Sequence, residues 1–324
     1  MTSKEALSSI KPDRDSFINE VISPTGVSGA VIAAFEEVDR AEFVPRALRD
    51  TAYTDQIIRV SEGSTISQPS FVARMINLLE LAGHEKILEI GTATGYQAAL
   101  LSRLAGEVDT IETDPRLVYW ANSNLKRLHY PNVTVHHGDG AKGIESRAPF
   151  DGIIVTAGLR DIPQALLNQL AVGGRLVAPV GEIPEDGRLV VLTKTSSSET
   201  SHEDHGWCGF VPLYSQEQGG WTKEALEEVR EIKKRERQEI DVKEREELKA
   251  ALMEAGGEES YRDTIRATGS SVARIVEKKS LTEDQVLDLI CFFSAIFRPD
   301  RKVPKTDTPE KPVEEPVADI DKSQ

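Results

Sequence analysis

Residues 86–96, KILEIGTATGY, decide the fold, because a short apolar run there ends in a glycine-rich turn. The run KILEI is typical of a buried β-strand, and the residues from Tyr96 onward have the apolar spacing of a helix. Between them, Gly91 and Gly95 let the backbone pass close to a ligand, and the helix N-terminus presents free N–H groups. The stretch therefore predicts a strand, a turn and a helix in succession.

Strand-like and helix-like segments alternate along the chain after this turn. The pattern predicts helices at 96–105, 116–128 and 162–170, and further strands at 108–111, 133–136, 152–156 and 175–179. Such a β-α-β-α succession predicts an α/β fold with a doubly wound, mostly parallel sheet.

Two acidic residues follow predicted strands where a nucleoside-type ligand would need them. Glu112 ends the next strand, about 20 residues after the turn, where a carboxylate can accept hydrogen bonds from two ribose hydroxyls. Asp139 follows the third strand, where an adenine contact would fall. The turn lacks the full Gly-x-Gly-x-x-Gly of a pyrophosphate binder, which favours a ligand without phosphates. By itself, the glycine pattern is equally typical of a simple tight turn.

Composition excludes several classes of protein. The 324 residues carry a net charge of −15, which argues against a nucleic-acid binder, since that needs a basic face. No apolar run approaches the roughly 20 residues needed to span a bilayer, and the first residues lack the apolar stretch of a signal peptide. We therefore expect a cytoplasmic protein without membrane contact. Two cysteines supply no disulfide framework, and residues 202–208, HEDHGWC, are interpreted as a solvated loop rather than a metal site.

Four parts are predicted along the chain. Residues 1–25 form a polar lead-in, residues 26–218 the α/β domain, residues 219–298 a charged helical region, and residues 299–324 a Pro-, Lys- and Glu-rich disordered tail. The helical region has apolar stripes that need a partner. A homodimer, another partner protein and packing within the region itself all remain open.

Five separate motifs follow one another along the chain: residues 65–69 (TISQP), 87–97 (ILEIGTATGYQ), 138–140 (GDG), 148–157 (APFDGIIVTA) and 173–181 (GGRLVAPVG). In this order they resemble the motifs of the protein-L-isoaspartate O-methyltransferase family. The resemblance covers roughly residues 25–215. It implies a Rossmann-like methyltransferase fold, S-adenosylmethionine as methyl donor, and an isoaspartyl or related aspartyl carboxylate of a protein or peptide as acceptor. The ester so formed would lead to repair through a succinimide.

The resemblance also assigns site residues. Ser67 stands where the active-site serine of the family stands. The cofactor-binding residues implied are Glu89, Gly91, Thr92, Ala93, Gly95, Glu112, Asp139 and Gly140. Those implied on the substrate side are Thr65, Ile66, Gln68, Pro69 and Ser70. Considered without the family, Ser67 is also a good N-cap for a helix over residues 71–81.

Two departures from the family pattern keep alternatives open. Ala93 replaces a usual glycine of the turn, and Ser70 replaces a usual aromatic residue or histidine. A second hypothesis is therefore a peptide-tailoring enzyme that methylates an aspartate of a dedicated precursor. A third is a catalytically silent binding protein of the same fold.

Overall fold

In the part of the chain that the structure describes, seven strands form one sheet, and a two-stranded hairpin precedes it in the sequence. The computed structural model describes residues 13–61 and 63–236. The hairpin consists of β1 (Ile58–Ser61) and β2 (Ser64–Ile66). The sheet contains β3 (Lys86–Ile90), β4 (Glu107–Glu112), β5 (Val133–His137), β6 (Phe150–Val155), β7 (Leu170–Val180), β8 (Gly187–Lys194) and β9 (Thr200–Cys208).

The strand order in the sheet is β5-β4-β3-β6-β7-β8-β9. The five strands from β5 to β7 pair in parallel, and β8 and β9 continue the sheet in antiparallel pairing. From β3 the chain first adds β4 and β5 on one side, and then returns to add β6 on the other. This confirms the predicted doubly wound, mostly parallel α/β sheet.

Helices connect and cover these strands. They are α1 (Arg14–Phe17), α2 (Gly29–Glu37), α3 (Pro69–Asn77), α4 (Tyr96–Leu101), α5 (Pro115–Arg127) and α6 (Gln164–Gln169). The start of α5 shows how the sequence sets a boundary, because Asp114 accepts from the Arg116 N–H and Pro115 occupies the first turn. Its Leu117, Ala121 and Leu125 are buried at helical spacing, so one face of α5 packs on the sheet.

Alternating residues of the central strand divide the core into two clusters. Ile87 belongs to the cluster that contains the buried faces of α2, α3 and α4. Leu88 and Ile90 belong to the other, which also holds three residues of β6 (Phe150, Ile153 and Val155) and Leu166 of α6. Because both faces of β3 are covered, its residues from Ile87 to Ile90 are buried.

The folded part begins earlier than the boundary predicted at residue 26. Asp13 caps α1, and Phe17, Ile18 and Ile22 are buried in the core. These apolar residues share one helical face, but the charged residues around them made the segment look like a polar lead-in. The described lead-in therefore belongs to the α/β domain.

The folded part also extends past the boundary predicted at residue 218. Trp221 and Leu226 are both buried, and residues 223–236 are helical. The compact unit that contains the sheet ends at Lys233. Most of the predicted helical region 219–298 and all of the tail 299–324 lie outside the described residues.

Residues 202–208 are part of strand β9, so the prediction of a solvated loop was wrong. They pair with β8, although most of their side chains point to solvent and give no apolar alternation. Within residues 13–61 and 63–236, no group of three His, Cys, Asp or Glu residues is arranged to hold a metal ion. In the same residues, no helix combines the length and apolar character needed to cross a bilayer.

Arg40 connects the N-terminal segment to the residues before α3. Its side chain is only 1% exposed. The two terminal guanidinium nitrogens donate to the carbonyls of Ala52 (2.9 Å), Thr54 (3.1 Å), Gln56 (3.0 Å) and Ser67 (3.1 Å). A single buried cation thus ties the backbone on both sides of the β1–β2 hairpin.

Replacing Arg40 with leucine is expected to lower the free energy of unfolding by about 3 kcal/mol, because four carbonyls lose a buried charged donor. Urea denaturation measures the change. Arg49→Leu is the matched control, since Arg49 is half exposed and its ion pair with Glu42 spans 3.9 Å; it should change stability by no more than about 0.5 kcal/mol. Equal effects of the two substitutions would contradict this role of Arg40.

Candidate active site

The carboxyl ends of β3 and β6 lie side by side at the point where the strand order reverses. Gly91 follows β3, and Thr156 follows β6. Thr156 Oγ1 donates to the carbonyls of Ile90 and Gly91, each at 2.9 Å. In open α/β sheets, ligands bind at such a switch point, outside the carboxyl ends of the strands.

The turn after β3 has the backbone conformation that its small residues permit. Gly91 has φ +99°, and a Cβ there would collide with Thr156 Oγ1. Ala93 adopts φ +47°, in the left-handed region, and its N–H donates to Glu112 Oε2 at 3.0 Å. Gly95, at φ +87°, precedes the first residue of α4. The backbone of the turn therefore lies beside the carboxyl ends of β3 and β4.

Two cavities adjoin at this turn. The larger, about 640 Å³ with the space at its open mouth included, is called the Glu112 cavity. It is lined by Gly63, Ser64, Thr65, Ile90, Gly91, Ala93, Ile111, Glu112, Thr113, Gly140, Thr156, Ala157, Val211, Pro212, Leu213 and Tyr214. The smaller, about 310 Å³, is called the Ser67 cavity, and its lining is Thr65, Ile66, Ser67, Val72, Gly91, Thr92, Ala93, Thr94, Tyr96, Gln97 and Thr156. They share Thr65, Gly91, Ala93 and Thr156, so a ligand in one borders the other.

Glu112 is already oriented by the backbone around it. Besides the Ala93 bond, its Oε1 accepts from the N–H groups of Thr113 (2.9 Å) and Asp114 (3.1 Å). A carboxylate has about four acceptor positions, so one remains for a ligand hydroxyl. The predicted cofactor residues Gly91, Ala93, Glu112 and Gly140 all line this cavity.

Glu89 lies beneath the turn, in the lining of neither cavity. It is fully buried, and its Oε2 accepts from Thr110 Oγ1 at 2.6 Å, which in turn bonds Thr92 Oγ1 at 2.6 Å. Its Oε1 has no hydrogen-bond partner among the residues described. Burial raises the pKa of Glu89 to about 8; the Thr110 bond opposes this and the nearby Glu112 adds to it. At neutral pH the Glu89 side chain is therefore mainly uncharged.

Asp139 also lies outside the two linings, although the adjacent Gly140 is in one of them. Asp139 accepts from the Ala141 N–H at 3.0 Å and from Ser215 Oγ at 2.7 Å. It fixes the segment that follows β5 to the chain near Ser215. A contact of Asp139 with a cofactor stays a prediction.

The substrate-side residues divide into two groups. Thr65, Ile66 and Ser67 line the Ser67 cavity. Gln68, Pro69 and Ser70 do not line either cavity and begin α3 instead. Their contact with an acceptor therefore stays a prediction.

Asp55 holds this second group in place. Its carboxylate accepts from Gln68 Nε2 (2.7 Å), from the Ser70 N–H (2.9 Å) and from Ser70 Oγ (2.8 Å). Asp55 thus satisfies the N-terminus of α3, whose N-cap residue is Gln68 and makes no side-chain cap bond. The interpretation of Ser67 as the N-cap was wrong, and Ser67 is left to line the cavity.

Several lining residues were not assigned by the sequence. Thr156 borders both cavities, and its position at the end of the strand next to β3 is the signal that points to it. Residues 211–214 reach the Glu112 cavity because the Gly158 N–H donates to the Val211 carbonyl at 2.7 Å. Only the three-dimensional structure shows this contact.

Comparison with known proteins agrees with this geometry. Residues 14–218 match the family model of protein-L-isoaspartate(D-aspartate) O-methyltransferase. Protein-L-isoaspartate O-methyltransferase 1 of Rhodopseudomonas palustris (strain HaA2) is 44% identical over 220 residues, which are 68% of this chain and 89% of the relative. Protein-L-isoaspartate O-methyltransferase 2 of Marinobacter nauticus is 47% identical over 199 residues, 61% of this chain and 90% of the relative.

Solved structures show the same fold. A structure of a protein-L-isoaspartate O-methyltransferase superposes with a TM-score of 0.58 at 27% identity, covering 64% of this chain and 67% of that chain. A protein-L-isoaspartate O-methyltransferase from Plasmodium falciparum, in complex with S-adenosyl-L-homocysteine, gives a TM-score of 0.54 at 22% identity and covers 63% and 99% of the two chains.

The switch-point turn and the cavity beside it are those of a Rossmann-like, S-adenosylmethionine-dependent methyltransferase. Within that class, the match of residues 14–218 to one family model and the 44% identity to a member of that family identify the family itself. The chain belongs to the protein-L-isoaspartate(D-aspartate) O-methyltransferase family, as the resemblance predicted, and is a carboxyl O-methyltransferase.

The buried Glu89 generates a prediction about stability and pH. Because its pKa is about 8 in the folded protein against 4.5 ordinarily, the folded state holds the proton more tightly than the unfolded chain. The stability from this group is full below pH 4.5 and is lost as the pH rises towards 8. Between pH 5 and 8, the wild type should lose on the order of 3 kcal/mol more than Glu89→Gln. Urea unfolding across this range measures it, and parallel stability curves for the two proteins would refute the shift.

Proposed function

We propose that this chain methylates isoaspartyl carboxylates of proteins and peptides with the acceptor at Ser67 and the nucleoside of the methyl donor at Glu112. The single observation that supports this arrangement is the shared border of the two cavities at Gly91, Ala93 and Thr156. Two ligands placed on either side of this border would have their reacting atoms next to each other.

The Glu112 cavity suits a nucleoside. After its three backbone hydrogen bonds, Glu112 keeps one acceptor position for a ribose hydroxyl. Ile111 and Leu213 line the same cavity and offer an apolar surface for a base, and Gly140 lies next to Leu213. A side chain at Gly140 would collide with Ile90, so the backbone there approaches the cavity closely.

S-adenosylmethionine, when bound, supplies an electrophilic methyl group on a positively charged sulfur. The acceptor carboxylate has a reference pKa of about 4 and is already ionised near neutral pH. No general base is therefore required of the protein. Its task is to orient the carboxylate in line with the methyl group and to remove part of its water shell.

The position of Ser67 supports this orienting role. Its carbonyl is held by Arg40 at 3.1 Å, and the residue lines the smaller cavity. A serine hydroxyl fixed there can donate to one oxygen of the acceptor carboxylate while the other attacks. The resulting ester loses methanol when the neighbouring backbone nitrogen attacks it, and the succinimide formed hydrolyses partly to normal aspartate.

A pair of peptides tests the acceptor and the role of Ser67. The wild type should transfer methyl groups to an isoaspartyl peptide and not to its normal aspartyl twin, measured by release of S-adenosylhomocysteine. Ser67→Ala should lower kcat/KM about 10- to 100-fold through loss of one hydrogen bond to a charged group. Ser123→Ala is the control, because that exposed hydroxyl bonds only within its own helix, to the Tyr119 carbonyl at 2.8 Å. Equal transfer to both peptides would reject isoaspartate as the acceptor.

The assignment of Glu112 has its own test. Glu112→Gln should weaken S-adenosylhomocysteine binding by about 10-fold or more in calorimetry, because one charged acceptor for the ribose is lost. Glu145→Gln, an exposed change outside both cavities, should leave the affinity unchanged. Unaltered affinity in a folded Glu112→Gln variant would remove Glu112 from the proposed site.

A further inference from the structure

Residues 211–214 line the Glu112 cavity and are called the 211–214 wall. They follow strand β9 but belong to no strand of the sheet. The Gly158 N–H donates to the Val211 carbonyl at 2.7 Å, and the Leu213 N–H donates to the Gly158 carbonyl at 2.9 Å. These two bonds join the wall to the chain that follows β6. Its other backbone bonds come from residues further along the chain.

Residues 219–233, called the C-terminal segment, supply those bonds. They lie beyond the span 14–218 that matches the family model. The Trp221 N–H donates to the Leu213 carbonyl at 2.8 Å, and the Ser215 N–H donates to the Trp221 carbonyl at 3.0 Å. The 211–214 wall is therefore bonded through its backbone to Trp221 as well as to Gly158.

Trp221 is itself held firmly. It is only 1% exposed. Gly219, two residues earlier, has φ +87°, and a Cβ there would collide with the Asp161 carbonyl. The Gly219 carbonyl accepts from the Arg160 N–H at 2.9 Å. Since the chain that leads to Trp221 is bonded and closely packed, Trp221 has little freedom to move away from the wall.

The helical part of the C-terminal segment is anchored to the loop between β7 and β8. Leu226 is 1% exposed, so one face of this helix is buried. Arg230 forms an ion pair with Glu185, and Lys233 forms one with Glu182 at 2.5 Å. Both acids belong to the loop, which the ion pairs therefore tie to the helix.

The same loop contacts the residues next to the 211–214 wall. The Pro184 carbonyl accepts from the Phe210 N–H at 2.9 Å. A Cβ at Gly158 would come within 2.7 Å of Pro184 Cβ, so the loop also lies directly against Gly158. The C-terminal segment thus reaches the wall by two routes, through Trp221 and through the loop.

We propose that the C-terminal segment, with Trp221 as its positioning residue, determines how tightly this chain binds its methyl donor. A wall that is fixed before binding loses little conformational entropy when the nucleoside contacts it, and a loosened wall loses more. The inference rests on the proposed function in one respect, the placement of the nucleoside in the Glu112 cavity. Among the described residues that line the Ser67 cavity, none belongs to the wall, so binding of the acceptor should not change.

Removal of the two ion pairs tests the route through the loop. Arg230→Gln combined with Lys233→Gln should weaken S-adenosylhomocysteine binding about 3-fold in calorimetry, since exposed ion pairs contribute modestly. Arg49→Gln combined with Arg103→Gln is the matched control, because it removes the same charge from two ion pairs of similar exposure elsewhere in the domain. The control should bind within about 1.5-fold of the wild type.

Salt separates this effect from a general loss of structure. At about 1 M NaCl the Debye length is about 3 Å, so exposed ion pairs contribute little. The affinities of the wild type and of the Arg230→Gln/Lys233→Gln variant should therefore converge at this salt concentration. A difference that persists undiminished at high salt would contradict a role of the ion pairs.

Trp221→Leu tests the direct route. S-adenosylhomocysteine binding should weaken by about 10-fold or more, and the KM for S-adenosylmethionine should rise with it. The kcat and the KM for an isoaspartyl peptide should stay within about twofold of the wild type. Trp207→Leu is the control, because Trp207 is 62% exposed and lies outside both cavities. Urea unfolding establishes that each variant is folded.

A merely structural role of the segment predicts a different pattern. The variants would then lose kcat and binding stoichiometry together, because fewer molecules are folded, while the Kd of the folded molecules stays the same. That pattern, or affinities within about 1.5-fold of the wild type in both the Trp221 and the ion-pair variants, overturns the proposal. If Trp221→Leu does not fold, the ion-pair variant and its salt dependence decide.

Glu112→Gln distinguishes this proposal from the placement of the nucleoside. If Glu112→Gln weakens S-adenosylhomocysteine binding and the segment variants do not, the role of the segment fails and the placement stands. If the segment variants weaken binding and Glu112→Gln does not, the contact of Glu112 with the ribose fails and the role of the segment stands. Calorimetry needs no acceptor, so both results are independent of the identity of the methylated carboxylate.

Discussion

The close approach of two parallel strand ends, at Gly91 and Thr156, is the contact on which the rest of the site depends. Thr156 Oγ1 donates to the carbonyls of Ile90 and Gly91, and the space it occupies is the space that a side chain at Gly91 would need. The chain must therefore turn sharply after β3. That turn brings the Ala93 N–H within hydrogen-bond distance of Glu112. Its residues Gly91 and Ala93 line both cavities, so the two cavities meet at the turn.

A second constraint acts from the N-terminal side. Arg40 and Asp55 belong to a segment with little regular structure, yet they position the residues before α3. Arg40 donates a hydrogen bond to the carbonyl of Ser67. Asp55 accepts from the N–H and the hydroxyl of Ser70, so the start of α3 does not need a capping side chain at Ser67. Because one buried cation satisfies four carbonyls, movement of Ser67 would break contacts elsewhere in this segment. The proposed acceptor side of the site is thus built from residues distant in sequence, and its geometry depends on the fold of the N-terminal region.

How well each of these features can be predicted depends on how far apart in the sequence its residues lie. The turn after β3, the acid at the end of β4 and the parallel sheet are local patterns, and the sequence predicts them. The contacts of Arg40 with Ser67 and of Asp55 with Ser70 join residues 27 and 15 positions apart, and no local pattern reports them. Strand β9 was missed because most of its side chains are exposed, and the first helix because its buried face has only a few apolar residues among charges.

Both departures from the family pattern have a physical account in the structure. A left-handed alanine costs about 1–2 kcal/mol relative to a glycine, and at Ala93 this strain is accompanied by a hydrogen bond from its N–H to Glu112. Ala93 lines both cavities. At Ser70, the hydroxyl donates to Asp55 and reinforces the start of α3. Since neither residue obstructs the site, the two changes that motivated a catalytically silent protein are compatible with a working methyltransferase.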